Sequence, residues 1–182
     1  MLTGVCVCVR LHGRSSLQIS TDHINTQVKK KLVNAHVYAL DVSPDALSVA
    51  RANAQEIGAD IHFVEGDVLN NGTWEKLPHF TYIVSNPPYV KRSEQAEMDE
   101  RVKNYEPGTA LFVPDDDALV FYRAIAELGR AKLKTGGKIF VEINVARGLE
   151  TAIVFQKAGM SDVRIVPDLQ GKERYIICTL SK

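Results

Sequence analysis

The pattern of apolar and polar residues predicts alternating strands and helices from residue 36 to the C-terminus. Short apolar runs rich in strand-forming residues predict strands, and apolar residues at helical spacing predict helices between them. The predicted strands are residues 36–41, 61–64, 80–84, 138–143, 163–166 and 174–180. Strands separated by segments of helix length indicate the α/β class, with a doubly wound, mostly parallel sheet.

The first helix has the clearest local signals. Ser43 is a suitable N-cap, and Pro44 stands at the first helical position, where its missing N–H costs nothing. Apolar residues then recur at helical spacing, and Gly58 ends the pattern. The residues predicted to form the buried face of this helix are Leu47, Ala50, Ala54 and Ile57.

Two further helices and a closing hairpin complete the pattern. Three aspartates at residues 115–117 precede a helix with Phe121, Ile125 and Leu128 on one face. We prefer to read these acids as favourable charges at the helix N-terminus rather than as a metal site, because no matching ligands stand nearby. Residues 148–158 predict the third helix, and the short connection between the last two strands predicts an antiparallel hairpin at the sheet edge.

Composition favours a single globular domain in a reducing compartment. The 182 residues suffice for one core, and no apolar run approaches the roughly 18–20 residues of a membrane span. We expect no signal peptide, because the apolar patch at residues 5–9 has no basic flank before it and no small-residue cleavage site. The odd number of cysteines, three without framework spacing, indicates a reducing compartment, and we expect a cytoplasmic location. Cys6 and Cys8 would need two further ligands to hold a metal and only His12 is near, so we expect free thiols and no metal.

Polar residues stand at the ends of three predicted strands, where ligands bind in open parallel sheets. Asp41 ends the first strand and can accept hydrogen bonds from both hydroxyls of a ribose. Asp67 follows the second strand and can accept from an adenine amino group. Each also has a structural interpretation of equal weight, Asp41 as a helix-entry acid and Asp67 as a turn residue after Gly66.

The third strand end is the most specific feature of the sequence. Asn86-Pro87-Pro88-Tyr89 directly follows an apolar strand. The prolines fix the backbone and remove two N–H donors, so the loop offers mainly acceptors, including the Asn86 side-chain oxygen. Two converging acceptors can hold a planar NH₂ group, and Tyr89 can stack on its plane or lie against a methylsulfonium. We prefer this functional interpretation to a plain turn.

From about residue 34 onward the sequence resembles the class I methyltransferases with an N-P-P-Y motif, and within them the release factor glutamine methyltransferases. The other residues that carry the resemblance are Val102, Tyr105-Glu106-Pro107, Ala110-Leu111-Phe112, Gly136-Gly137, Glu142-Ile143-Asn144, Asp168, Gly171 and Arg174. The resemblance implies a Rossmann-like seven-stranded sheet and S-adenosyl-L-methionine as cofactor. It implies a peptide chain release factor as the partner and substrate, methylated on the glutamine of its Gly-Gly-Gln loop.

The resemblance also assigns roles to the site residues. The residues expected to bind the cofactor are Asp41, Asp67, Val68 and Asn86. The residues expected to bind the substrate are Asn86, Pro87, Pro88 and Tyr89, of which Asn86, Pro87 and Tyr89 are expected to be catalytic. Asn86 and the Pro87 carbonyl would accept the two amide hydrogens and aim the nitrogen at the methyl group. Neither a metal nor a membrane is implied, and nucleic acid would be met only through the ribosome.

Residues 1–33 depart from this pattern and form an atypical segment before a catalytic domain at residues 34–182. The family carries a helical domain upstream and a glycine-rich turn, D-x-G-x-G-x-G, after its first strand. At the family's spacing this turn falls on residues 17–23, which contain no glycine. Either the reading frame or start is disrupted, or residues 5–11 replace the first strand and residues 26–33 its helix. We favour disruption, because the Val-Cys alternation is typical of a half-buried strand rather than a central parallel one.

Three functions remain compatible with the sequence. The first is a release factor glutamine methyltransferase, or a truncated and impaired form of one. The second is a base methyltransferase acting on adenine or guanine amino groups, which would need base flipping and a basic face. The equal numbers of basic and acidic residues, 22 each, speak against this second function. The third is a non-catalytic fragment that binds a partner.

Overall fold

The computed structural model describes residues 6–11, 35–91 and 112–181. The strands are β1 (Cys6–Leu11), β2 (Ala35–Asp41), β3 (Ile61–Glu65), β4 (Phe80–Ser85), β5 (Val90–Lys91), β6 (Phe112–Val113), β7 (Leu133–Glu142), β8 (Met160–Pro167) and β9 (Glu173–Leu180). The helices are α1 (Pro44–Glu56), α2 (Asn71–Glu75), α3 (Val120–Lys132) and α4 (Gly148–Lys157), with a 3-10 helix at Val145–Arg147. None of these helices has the length and apolar character needed to span a bilayer.

Seven strands form one sheet in the order β3-β2-β1-β4-β7-β9-β8. Strands β2 and β3 are parallel, as are β4 and β7, whereas β1 and β9 are antiparallel to both of their neighbours. Strands β2, β3, β4, β7 and β8 therefore run in one direction, and β1 and β9 run in the other. The predicted α/β class and the antiparallel C-terminal hairpin are confirmed, and the sheet is mixed, because two of its six neighbouring strand pairs are parallel and four are antiparallel.

The central strand β1 is present, but its direction is reversed. Cys6 pairs with Leu40 on one side and with Ser85 on the other, both in antiparallel register. A strand therefore replaces the expected first strand, and the idea that the strand is missing, with unpaired edges on β2 and β4, is wrong. The helix proposed for residues 26–33 lies outside the described residues.

Local signals placed most of the other elements within a few residues. Ser43 caps α1 by accepting a hydrogen bond from the Ala46 N–H at 3.2 Å. The face predicted for α1 is buried except at Ile57, which follows the end of the helix and is 36% exposed. Helix α2 and the separate pair β5–β6 were not predicted.

The glycine pair at residues 136–137 lies inside β7 and does not precede the strand as predicted. Gly136 has a φ of 75°, and the register of β7 with β4 shifts between Phe80 and Tyr82. A Cβ on Gly137 would lie 2.8 Å from the Lys134 carbonyl oxygen. The pair therefore forms a bulge within a longer strand, since a sharp bend in the backbone need not end the pairing.

A single apolar core fixes the strands that carry the site. It includes the fully buried side chains Phe80, Ile83, Tyr122, Ile125, Leu128, Ile139, Ile143, Phe155 and Ile176. These residues come from β4, β7 and β9, from the residue after β7, and from α3 and α4. Close packing thus fixes the carboxyl ends of β4 and β7, and with them the starting points of the loops that follow.

Candidate active site

The predicted site residues gather at the carboxyl edge of the sheet. Cys6 is level with both Leu40 and Ser85, so the ends of β2 and β4 lie level on the two sides of β1. Asp41 and Asn86, one residue further along the chain than Leu40 and Ser85, therefore lie level with each other on the two sides of β1, at its N-terminal end. At the ordinary strand spacing this separation is about 10 Å between backbones, which suits opposite ends of one small-molecule ligand.

Asp41 has one satisfied and one unsatisfied carboxylate oxygen. Its side chain is buried, and Oδ1 accepts a hydrogen bond from the Ser43 N–H at 2.8 Å. Oδ2 has no hydrogen-bond partner in the part of the chain that the structure describes. Burial raises the pKa of the Asp41 carboxyl, opposed by hydrogen bonds from the Ser43 and Val42 backbones. A buried acceptor left unpaired costs roughly 1–3 kcal/mol, and a ligand hydroxyl would satisfy it.

Asp67 and Val68 form the neighbouring loop after β3. The Asp67 Oδ1 accepts from the Leu69 N–H at 2.8 Å, so the turn interpretation of Asp67 is confirmed. The buried Val68 accepts a hydrogen bond at its carbonyl from the Trp74 Nε1 at 3.1 Å. This loop is tied to β2, because the Gly66 N–H donates to the Asp41 carbonyl at 3.0 Å. The two acids predicted to bind the cofactor are therefore on adjacent, hydrogen-bonded segments.

The N-P-P-Y loop follows β4 and lies against the end of β7. Pro87 and Pro88 are buried, whereas Asn86 and Tyr89 are half-buried. Because the prolines have no N–H and a fixed φ, the loop keeps its shape and leaves the Asn86 side chain at the sheet edge.

Two polar residues at the end of β7, Glu142 and Asn144, contact the N-P-P-Y loop but were not predicted from the sequence as site residues. The Tyr89 hydroxyl donates to the Glu142 Oε1 at 3.4 Å, and the Asn144 Nδ2 donates to the Tyr89 carbonyl at 3.3 Å. Both residues were noted only as part of a family resemblance, without a role. The strand-end rule that selected Asp41 could have found them, because they stand at the carboxyl end of the fourth predicted strand.

An ion-pair chain continues from Glu142 toward the β8–β9 turn. The Arg174 Nη1 lies 3.9 Å from the Glu142 Oε1, and the Arg174 Nε lies 3.4 Å from the Asp168 Oδ2. The pKa of Asp168 is lowered, chiefly by the hydrogen bond from the Lys172 backbone N–H. Tyr122 donates its hydroxyl to the Glu142 carbonyl at 3.2 Å, and burial raises the pKa of this hydroxyl. Tyr122 therefore acts as a neutral donor beneath the site.

The residues predicted for the cofactor and substrate sites stand at the end of β2 or directly after β3 and β4. They are Asp41, Asp67, Val68, Asn86, Pro87, Pro88 and Tyr89. The Tyr105-Glu106-Pro107 block, Val102, Ala110 and Leu111 lie outside the described residues.

Comparison with known proteins supports the same interpretation. Residues 21–103 match the family described as the methyltransferase small domain. A release factor glutamine methyltransferase of Bacteroides thetaiotaomicron is 43% identical over 166 residues, covering 90% of this chain and 59% of the relative. Another, of Flavobacterium psychrophilum, is 40% identical over 153 residues, covering 84% of this chain and 53% of the relative. The chain therefore spans little more than half the length of these relatives.

The crystal structure of a methyltransferase from Pyrococcus furiosus has the same fold. It matches with a TM-score of 0.61 at 20% identity, covering 86% of this chain and 68% of that chain. The expected class I methyltransferase fold is thereby confirmed, and so is the resemblance to the release factor glutamine methyltransferases.

Proposed function

We propose that this chain, a homologue of the release factor glutamine methyltransferases over most of its length, methylates the N5 amide nitrogen of a glutamine. The substrate is the Gly-Gly-Gln loop of a peptide chain release factor, and the methyl donor is S-adenosyl-L-methionine. One observation carries the proposal. The acceptor-rich Asn86–Tyr89 loop and the unpartnered Asp41 Oδ2 lie on the same sheet edge, one strand apart. The names of the relatives supply the substrate class.

The acids at the end of β2 and in the loop after β3 fit the nucleoside part of the cofactor. The Asp41 Oδ2 is a buried acceptor that needs donors, and the two hydroxyls of a ribose are such donors. Asp67 holds its carboxylate at the adjacent strand end, in a turn fixed by the Leu69 N–H, where it can accept from an adenine amino group. The bound cofactor supplies an electrophilic methyl group.

The residues after β4 would hold the substrate amide. A glutamine amide nitrogen is a poor nucleophile, because its lone pair is delocalised into the carbonyl. The Asn86 side-chain oxygen and the Pro87 carbonyl can accept the two amide hydrogens, which fixes the orientation of the nitrogen. Such positioning can lower a barrier by about 7–11 kcal/mol. Acceptors that face the nitrogen also stabilise the positive charge that develops on it.

The proposed substrate sets the compartment and the partner. A release factor acts on the ribosome during translation termination, so we place the protein in the cytoplasm. Burial raises the pKa of the Cys178 thiol to about 12, which keeps this thiol protonated and unreactive there. Contact with nucleic acid is then indirect, through the ribosome.

A methyl-transfer assay with alternative substrates tests the proposal. Purified chain and labelled methyl donor are combined with a release factor, with the same factor carrying Gln→Ala in its Gly-Gly-Gln loop, with duplex DNA or with structured RNA. We expect label on the unaltered release factor alone. Comparable labelling of the DNA or RNA would favour a base methyltransferase instead. Cofactor binding without transfer to any substrate would favour a non-catalytic fragment.

A further inference from the structure

Tyr89 is held at its backbone carbonyl and at its hydroxyl by two residues at the end of β7 and directly after it. The Asn144 Nδ2 donates to its backbone carbonyl at 3.3 Å, and its hydroxyl donates to the Glu142 Oε1 at 3.4 Å. The partners stand 55 and 53 residues later in the chain. These contacts join the loop after β4 to the end of the neighbouring parallel strand.

The two partners are themselves fixed in place. The Asn144 Oδ1 accepts from the Ala146 N–H at 2.9 Å, so both ends of its amide are used and its orientation is determined. Glu142 pairs with β9, its carbonyl accepts from the Tyr122 hydroxyl, and its side chain is only 16% exposed. The Arg174 guanidinium lies 3.9 Å from the Glu142 Oε1, so a cation stands beside the oxygen that accepts from the Tyr89 hydroxyl.

We propose that Glu142 and Asn144 are positioning residues that hold the Asn86–Tyr89 loop in its working conformation. This inference rests on the proposed function. Only two prolines separate Tyr89 from Asn86, and the φ angle of each proline is fixed. A displacement of Tyr89 therefore also displaces Asn86, because few backbone dihedral angles between them can change to compensate. A misplacement of about 1 Å at a reacting group can cost on the order of 100-fold in rate.

The test measures loop order and catalysis in the same variants of the full chain. Asn144→Ala removes the contact to the Tyr89 backbone, and Glu142→Leu removes the contact to its hydroxyl. Glu142→Gln restores an acceptor oxygen and serves as the rescue. Glu150→Leu is the matched control, because Glu150 is exposed on α4 and pairs only with Arg147 among the described residues.

Hydrogen exchange, detected by mass spectrometry, is followed in the peptide covering residues 85–91 and in the reference turn at residues 57–60, which follows α1 and lies away from β7 and β9. We expect faster exchange in residues 85–91 for Asn144→Ala and Glu142→Leu, unchanged exchange in the reference turn, and recovery in Glu142→Gln. In parallel, kcat for the release factor should fall roughly 10- to 100-fold while the Kd for S-adenosylhomocysteine stays the same. The control should match the unaltered chain in both measurements.

Unchanged exchange in residues 85–91 for both variants would overturn the inference, whatever their activity. Lower thermal stability with normal kcat well below the melting temperature would also overturn it, since that result indicates a structural role only. If Glu142→Leu does not fold, Tyr89→Phe removes the same hydrogen bond from the other side and is read by exchange. An unaltered chain that methylates no release factor would refute the proposed function, and the exchange measurement would still decide whether these residues order the loop.

Discussion

At the residue scale, the buried Asp41 carboxylate is the proposed acceptor for the ligand, but its burial lowers the free energy of unfolding of the ligand-free protein. Burial raises its pKa in the folded protein above the value of about 3.8 for an exposed aspartate. The fold therefore favours the protonated form, and the ionised carboxylate lowers the free energy of unfolding at neutral pH. As the pH falls through the raised pKa of folded Asp41, toward the lower pKa of Asp41 in the unfolded chain, the free energy of unfolding increases again. This dependence is opposite to that of a carboxylate that is salt-bridged in the fold.

We predict that Asp41→Asn raises the unfolding temperature of the ligand-free protein at pH 7. Asparagine keeps an acceptor for the Ser43 N–H without burying a charge. The same change should weaken binding of S-adenosylhomocysteine about 10- to 100-fold, because hydrogen bonds to a charged acceptor are worth roughly 1.5–3 kcal/mol. Thermal unfolding and calorimetric titration measure the two effects, with the exposed Asp45→Asn as control. A lower unfolding temperature for Asp41→Asn would contradict the argument.

The second residue-scale prediction concerns the amide acceptor. In a chain that transfers methyl groups, Asn86→Ala should lower kcat about 100- to 1,000-fold, the usual cost of removing one hydrogen bond made in the transition state. The Kd for S-adenosylhomocysteine should remain largely unchanged. Asn53→Ala, on the exposed face of α1, is the matched control. Near-full turnover by Asn86→Ala would show that the loop does not hold the substrate through this side chain.

At the scale of single elements, the cap of α1 has a measurable value. The Ser43 Oγ accepts from the Ala46 N–H, which would otherwise lack a partner in the first helical turn. We expect Ser43→Ala to lower the free energy of unfolding by about 1 kcal/mol, measured by urea denaturation. Ser48→Ala makes the same chemical change on the exposed face of α1 and should have little effect. Equal losses in the two variants would show that the cap contributes nothing specific.

The elements predicted correctly are those whose signals are local. The cap, the proline and the apolar spacing of α1 stand within one stretch of chain, and the N-P-P-Y loop is a contiguous motif. The roles of Glu142 and Asn144 could not be predicted in this way, because they depend on contacts with Tyr89 across more than 50 residues. The pairing of β5 with β6 is missed for the same reason, because it joins segments far apart in the sequence. Each of the two strands has only two residues, too few to show an alternation of apolar and polar positions.

At the scale of the whole molecule, the reversed β1 affects the cofactor site. In the resembling family the first strand leads into a glycine-rich turn at the ligand edge. Here β1 ends at Leu11, opposite Ala35, on the other edge of the sheet. β1 therefore does not lead directly into a turn at the ligand edge, as the first strand of the family does. Asp41 and Asp67 stand at the end of β2 and after β3, where we propose that the nucleoside binds.

We predict that this chain binds S-adenosylhomocysteine little more tightly than adenosine. Several backbone hydrogen bonds of about 0.5–1.5 kcal/mol each would be lost, which weakens binding by one to several orders of magnitude. Calorimetric titration with both ligands measures the difference. Low-micromolar binding of S-adenosylhomocysteine, far tighter than that of adenosine, would show that the N-terminal segment is a working substitute.

The disrupted reading frame remains a prediction at the level of the gene. The match to the methyltransferase small domain begins at residue 21, inside the atypical segment at residues 1–33. Translation of the upstream DNA in all three frames decides the question. A glycine-rich D-x-G-x-G-x-G sequence in another frame is the expected result, and its absence from every frame would refute the hypothesis.

The reversal of β1 also determines how the protein would carry mechanical load. The N-terminal end of β1 lies at the carboxyl edge of the sheet, whereas β9 ends at Leu180 on the opposite edge, beside Met160. Tension between the chain ends would therefore pull β1 along its own axis, against β2 and β4 at once. Because the ladder hydrogen bonds are perpendicular to the strands, this geometry shears both ladders together. A pull between Leu11 and Ala35 would instead unzip one ladder bond by bond, and an optical trap should record a lower rupture force in that direction.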